Sequence, residues 1–155
     1  MTIKTILVPT DFSEHAGRAF EVARNLAAQL GATLHLLYVQ SESALRTAVK
    51  EGLFEGCTTD DEVQTAVTQL IEQRFSQTLS GGDSSVTIEH TTRRGEPGAA
   101  VIGYAQEIGA DLVVVGRRGT GLIEEVRVKV IGSVTESLIR RSPCPVVIVR
   151  REHQA

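Results

Sequence analysis

Asp11 stands in the run Pro9-Thr10-Asp11-Phe12-Ser13, directly after an apolar, β-branched stretch. A carboxylate there can accept hydrogen bonds from a ribose hydroxyl or an adenine amino group, and it repels phosphate. The same residue can equally do no more than shape the turn before the next helix. A second loop, Gly116-Arg117-Arg118-Gly119-Thr120-Gly121, follows another apolar run. Its glycines let backbone N–H groups approach an anion and form a concave nest, and its arginines add charge-assisted donors. Gly132-Ser133-Val134 then opens a helix, whose free N–H groups and dipole make a further anion-binding feature. Together these residues suggest a phosphate cradle. Taken without their strand context, the glycines read as tight turns and the arginines as solvated surface.

Several nucleotide motifs are excluded. The P-loop pattern G-x-x-x-x-G-K-[ST] does not occur, and the loop after the first strand has no glycine before Gly17, so the dinucleotide fingerprint is missing as well. A phospho-acceptor receiver domain needs an acid at the end of its third strand, where this chain has Thr92-Arg93-Arg94. No Ser-His-Asp or Cys-His pairing can be proposed, because His15, His35, His90 and His153 lie on different elements. The residues themselves therefore do not lead to the expectation of an enzyme. His35, in an apolar strand, reads as a hydrogen-bonded core residue.

The elements that position these loops follow from periodicity. Thr5 to Val8 reads as a strand stopped by Pro9. Ser13 caps a helix with Ala16, Ala19, Phe20, Ala23, Leu26, Ala27 and Leu30 at helical spacing, and Gly31 ends it. Thr33 to Val39 is apolar on both faces, as strands of covered parallel sheets are. Residues 41–85 form a long crossover: a loose stretch from Gly52 to Thr59, then a helix from Asp61 to Leu79 with Val63, Val67, Leu70, Ile71 and Phe75 on one face, ended at Gly81-Gly82-Asp83. Val86 to Thr92 alternates like an edge strand. Pro97 opens a helix with Val101, Ala105 and Ile108 inward, and Asp111 to Val115 is a buried strand. Ser133 and Glu136 have the spacing of a capping box for a helix with Val134 and Leu138 inward, and Pro145 to Val149 is the last strand.

This alternation calls for an α/β domain, an open five-stranded parallel sheet in the order 3-2-1-4-5 with helices on both faces. Its ligand crevice then falls between the loops after strands one and four. A length of 155 residues, 41% hydrophobic, fits a single domain over 1–155. The net charge of −3, the 4% aromatic content and the lack of Trp argue against nucleic-acid binding. No apolar run reaches the length of a membrane span. The N-terminal run lacks the length and cleavage site of a signal peptide, so a cytoplasmic location is expected. Cys57 and Cys144 have no partner at metal-ligand spacing and are expected as free thiols.

Three ordered blocks carry a family resemblance: VPTDFSEHAGRAFEVA, RRGEPGAAVIGYAQEIGADLVVVGRRG and GSVTESLIRRSPCPVVIV. The chain resembles the universal stress proteins nearly end to end. That resemblance implies a stress-response regulatory protein, usually a homodimer, whose ATP-binding members use a P-x-D loop and a G-x2-G-x9-G-[ST] loop. It implies an adenine nucleotide, with ATP first and ADP or AMP as alternatives, and Mg2+ as an accompanying ion. Pro9, Thr10 and Asp11 match the loop at the ribose and adenine end, and Val39 matches a position lining the adenine pocket. Gly116 and Gly119 match the first half of the phosphate motif and Gly132, Ser133 and Val134 the second; Val115, Arg117 and Arg118 beside them are expected to line the nucleotide site as well. Twelve residues separate Gly119 from Gly132, where the motif has nine, and the insertion brings Glu124 and Glu125. Other members of the family act through partner contacts without nucleotide, and the glycine loop would then serve structure alone. Val146 to Val149 is the expected dimer edge, since an apolar edge strand is otherwise left open.

Overall fold

The computed structural model describes residues 1–82, 84–117 and 132–150. Strands β1 (Thr5–Thr10), β2 (Thr33–Gln40), β3 (Ile88–Arg94), β4 (Leu112–Gly116) and β5 (Val146–Val149) form one sheet in the order β3-β2-β1-β4-β5. Every neighbouring pair is parallel, as the alternation predicts. The helices are α1 (Glu14–Leu30), α2 (Glu42–Lys50), α3 (Asp60–Leu79), α4 (Pro97–Glu107) and α5 (Ser133–Arg141).

The strands are apolar on both faces because each face has its own core. Ile6, Val8, Leu34 and Leu36 meet Phe20 and Ala23 of α1 and Val67, Ile71 and Phe75 of α3. Leu7, Leu37, Val113 and Val115 point the other way, onto Val101, Tyr104 and Ala105 of α4 and Leu138 of α5. Successive residues of a strand face opposite sides, so one short run supplies both layers.

β1 runs two residues further than its proline suggests. Lys4 O accepts from Thr33 N of β2, whereas Thr5 O accepts from Asp111 N beside β4. Backbone groups alternate between edges, so Pro9 turns its donor-less edge toward β4. Pairing of β1 with β4 already ends at Leu7↔Val113, while pairing with β2 continues to Thr10↔Tyr38. Proline therefore removes no ladder bond and sits where the sheet opens.

Ser13 caps α1 as expected, its Oγ accepting from Ala16 N at 3.2 Å. Gly31 closes α1 in the left-handed region, φ 64°, where a Cβ is disfavoured. The chain turns back into β2 there and leaves Leu30 48% exposed, outside the stripe to which its spacing assigns it. α3 matches its predicted span to within a residue, with a capping box between Thr59 and Glu62. Asp83, expected in the turn after it, lies outside the described residues. α2 is unforeseen: Ser41 caps it, and although Ala44, Leu45, Ala48 and Val49 fall at helical spacing, none of its residues is fully buried. β3 starts at Ile88 rather than Val86, which is buried against the core before pairing begins.

Glu96 caps α4 by accepting from Gly98 N at 3.0 Å and Ala99 N at 2.6 Å. The amide bonds from Ala99 and Gly98 hold its carboxyl below its usual value near 4.5. A lowered folded-state value stabilises the protein above the ordinary pKa, and the contribution is lost as pH falls through the folded one. Glu96→Gln should therefore flatten the fall in urea midpoint between about pH 6 and about pH 3. Parallel wild-type and variant curves would show that the cap contributes nothing ionic.

Candidate functional site

Beyond Leu7 and Val113, β1 continues beside β2 and β4 continues beside β5, so the two strands part. This is the point where the winding reverses, and the loops after β1 and β4 border the opening.

The first loop is tightly ordered. Phe12 N donates to Thr10 Oγ1 at 2.9 Å, and Ser13 N donates to Asp11 Oδ1 at 2.9 Å. Asp11 thus does shape the turn before α1. Phe12 is the non-glycine residue with positive φ, 62°, among those described. Its ring stacks on Tyr38 of β2 at 5.1 Å and meets the edge of Phe75 of α3 at 5.1 Å. Burial, and then the charge of Asp11, push the Tyr38 hydroxyl above its ordinary pKa. The loop is therefore held from below by an aromatic cluster drawn from three elements.

The second loop is anchored at both ends. A Cβ on Gly116 would lie 2.9 Å from His15 O, so the end of β4 touches the backbone of α1. Gly116 O accepts from Thr135 Oγ1 at 2.8 Å, and Thr135 is 2% exposed. Arg117 N donates to Val149 O at 3.1 Å, and Arg117 O accepts from Gly132 N at 3.0 Å. Arg117, at the end of β4, and Gly132, at the start of α5, are consequently adjacent in space. Arg118, Gly119, Glu124 and Glu125 lie outside the described residues.

α5 begins differently from the expectation. Gly132, not Ser133, is the N-cap, and no side chain caps the helix. Ser133 is the first helical residue, so its hydroxyl is one position too late for a capping box, and Glu136 pairs instead with Arg140 at 2.9 Å. The opening amides of α5, at Ser133, Val134 and Thr135, thus have no side-chain acceptor among the described residues, and the helix dipole favours an anion there. Val115 is 5% exposed within the second core, and Val39 packs against the same cluster. The site residues that sequence reasoning missed are Thr135, Phe12 and Tyr38. Only Thr135 leaves a trace in the sequence, a β-branched hydroxyl three residues past the cap in the first turn of a helix.

Thr135→Val keeps the shape and deletes the bond to Gly116 O. Leaving that buried carbonyl unpaired should cost about 1–3 kcal/mol, read as a lower urea midpoint at unchanged slope. Wild-type stability would mean that the carbonyl finds another donor.

The other candidates sit apart from the opening. His35 Nδ1 lies 3.5 Å from Tyr104 Oη and 3.6 Å from Glu89 Oε2, the hydrogen-bonded core position expected of it. His90 packs on Phe75 at 4.6 Å and lies 3.5 Å from Glu72. Cys57 and Cys144 are free thiols, and burial pushes the Cys144 thiol up, which opposes thiolate chemistry. Among the described residues no group of three or more His, Cys, Asp or Glu could hold a metal, and no helix is long and apolar enough to cross a membrane.

Sheet order and the parting of β1 from β4 together define a doubly wound α/β protein whose sheet opens at the switch point. The universal stress protein family profile matches residues 2–150, and the chain belongs to that family. Universal stress protein YxiE of Bacillus subtilis is 30% identical over 150 residues, covering 94% of this chain and 97% of that protein. Universal stress protein UspA from Lactobacillus plantarum superposes with a TM-score of 0.70 at 29% identity, covering 97% of this chain and 99% of that one. A universal stress protein solved in complex with cAMP, 25% identical, superposes at 0.64 and covers 97% of this chain and 98% of that one.

Proposed function

We propose that the crevice between β1 and β4 binds an adenine nucleotide, ATP first and ADP or AMP as alternatives, and that the protein is a cytoplasmic stress-response regulator switched by that binding. The observation that carries this reading is the uncapped N-terminus of α5, tied to the end of β4 by the Gly132–Arg117 and Thr135–Gly116 bonds. Amides and dipole suit phosphate oxygens there. Asp11, with Pro9 and Thr10, takes the ribose or adenine end, and Val39 borders the base. Gly116, Arg117, Arg118, Gly119, Ser133 and Val134 take the phosphates. Mg2+ would accompany a triphosphate as its counter-ion rather than occupy a protein site. A second copy pairs along β5, whose four residues are all partly exposed. The cAMP-bound relative supports the nucleotide class.

The test is to denature protein purified without added nucleotide, identify any released small molecule by mass, and titrate ATP, ADP and AMP by calorimetry. Binding of one of them, abolished by Gly119→Val in a folded protein, is the expected result. Silence from all three in a folded protein would favour the family's other mode, in which dimer and partner contacts carry the function. Light scattering showing only monomer would remove the β5 dimer.

A further inference from the structure

The C-terminal ends of β2 and β3 hold a second cleft, of about 720 Å3. Small-molecule sites run from roughly 300 to 1,000 Å3, and in open α/β sheets they lie at this end of the strands. Its walls come from separate elements: Gln40 and Ser41 where β2 ends, Arg46 on α2, Gln64 on α3, and Arg94 and Glu96 between β3 and α4. None of these belongs to the crevice between β1 and β4, although Gln40 directly follows Val39.

The charges on the wall are unequally matched. Arg46 pairs with Glu42 of its own helix, and both oxygens of Glu96 are taken by the amides of Gly98 and Ala99. Arg94 donates to the neutral Gln64 Oε1 at 3.0 Å and has no carboxylate partner among the described residues. Gln64 Oε1 also accepts from Gln40 Nε2 at 3.4 Å. That leaves Gln64 Nε2 and Gln40 Oε1, a donor and an acceptor, without partners among the described residues. A guanidinium presents a planar fork that matches carboxylate and phosphate oxygens.

We propose that this cleft is a second ligand site, taking a small molecule with one oxyanionic group on Arg94 and a hydrogen-bonding group against the carboxamides of Gln40 and Gln64. The Glu96 carboxylate on the same wall disfavours ligands with negative charge along their length, which sets this site apart from a polyphosphate cradle. The chemistry is common to carboxylates and phosphates, so the experiment separates them.

Inorganic phosphate and lactate, a monocarboxylate with a neighbouring hydroxyl, are titrated separately into the 15N-labelled full chain. Either probe should shift the backbone amides of Ser41 and Gly95 and the side-chain amides of Gln40 and Gln64. Response to phosphate alone assigns a phosphate-bearing ligand, and response to lactate alone a carboxylate-bearing one. Arg94→Gln should weaken binding by about tenfold or more, the effect of losing a charged hydrogen-bond donor, and Arg94→Lys by less. Absence of these shifts with both probes, or Arg94→Gln binding like the wild type, overturns the proposal. Shifts confined to Ser133, Val134 and Thr135 would place the anion on α5; they would overturn this site while leaving the nucleotide crevice intact.

Discussion

Phe75→Ala should lower the unfolding free energy by about 3–5 kcal/mol, the usual cost of emptying a buried aromatic position. Phe75 is 1% exposed and joins α3 to two other elements, meeting Phe12 edge-on at 5.1 Å and lying 4.6 Å from His90. The effect should reach the proposed nucleotide crevice. Phe12 holds a backbone conformation that a bulky residue adopts only at a cost of order 1–3 kcal/mol, and it is kept there by Tyr38 and Phe75. With Phe75 removed, the Asp11 loop loses one of its two aromatic supports, and nucleotide affinity should fall along with stability. Urea denaturation measures the first effect and calorimetry the second; Phe75→Leu, which keeps most of the volume, should show less of both. A loss under about 1 kcal/mol for the alanine variant would mean that the surrounding core closes over the cavity.

Gly116→Val is expected to cost about 3 kcal/mol, at the upper end of overpacking, because the atom in the way belongs to the backbone. A Cβ would approach His15 O to 2.9 Å and His15 C to 3.1 Å, and no rotamer change relieves a clash with main chain. The N-terminus of α1 must therefore move away from β4, and the Asp11 loop and the Gly116–Thr135 bond move with it. Loss of nucleotide binding should accompany the drop in thermal midpoint. A valine variant with wild-type stability and affinity would show that α1 is not held against β4 as the packing indicates.

Much of this architecture was legible because a parallel sheet covered on both faces needs short strands that are apolar throughout. Thr33 to Val39 and Asp111 to Val115 show that signature without ambiguity. Asp60–Leu79 was legible from Val67, Ile71 and Phe75, whose spacing buries one stripe. Glu42–Lys50 was less so, because its apolar stripe, Ala44, Leu45, Ala48 and Val49, is short and none of its residues is fully buried. Ser133 misled for a local reason: S-x-x-E spacing is satisfied equally by a cap and by a helix that begins one residue earlier.

Sequence alone determined the alternation of strands and helices, and with it the expected sheet order 3-2-1-4-5, since periodicity and turn chemistry are properties of neighbours along the chain. Tertiary structure decided that Pro9 lies inside β1, because only the parting of β1 from β4 leaves its missing N–H without consequence. It also decided that Thr135 and Gly132 tie the start of α5 to Gly116 and Arg117, that Phe12 is braced by Tyr38 and Phe75, and that a cleft opens at the C-terminal ends of β2 and β3. Each of these joins residues far apart in the chain, and no local pattern records which distant backbone or ring will lie within reach once the layers pack.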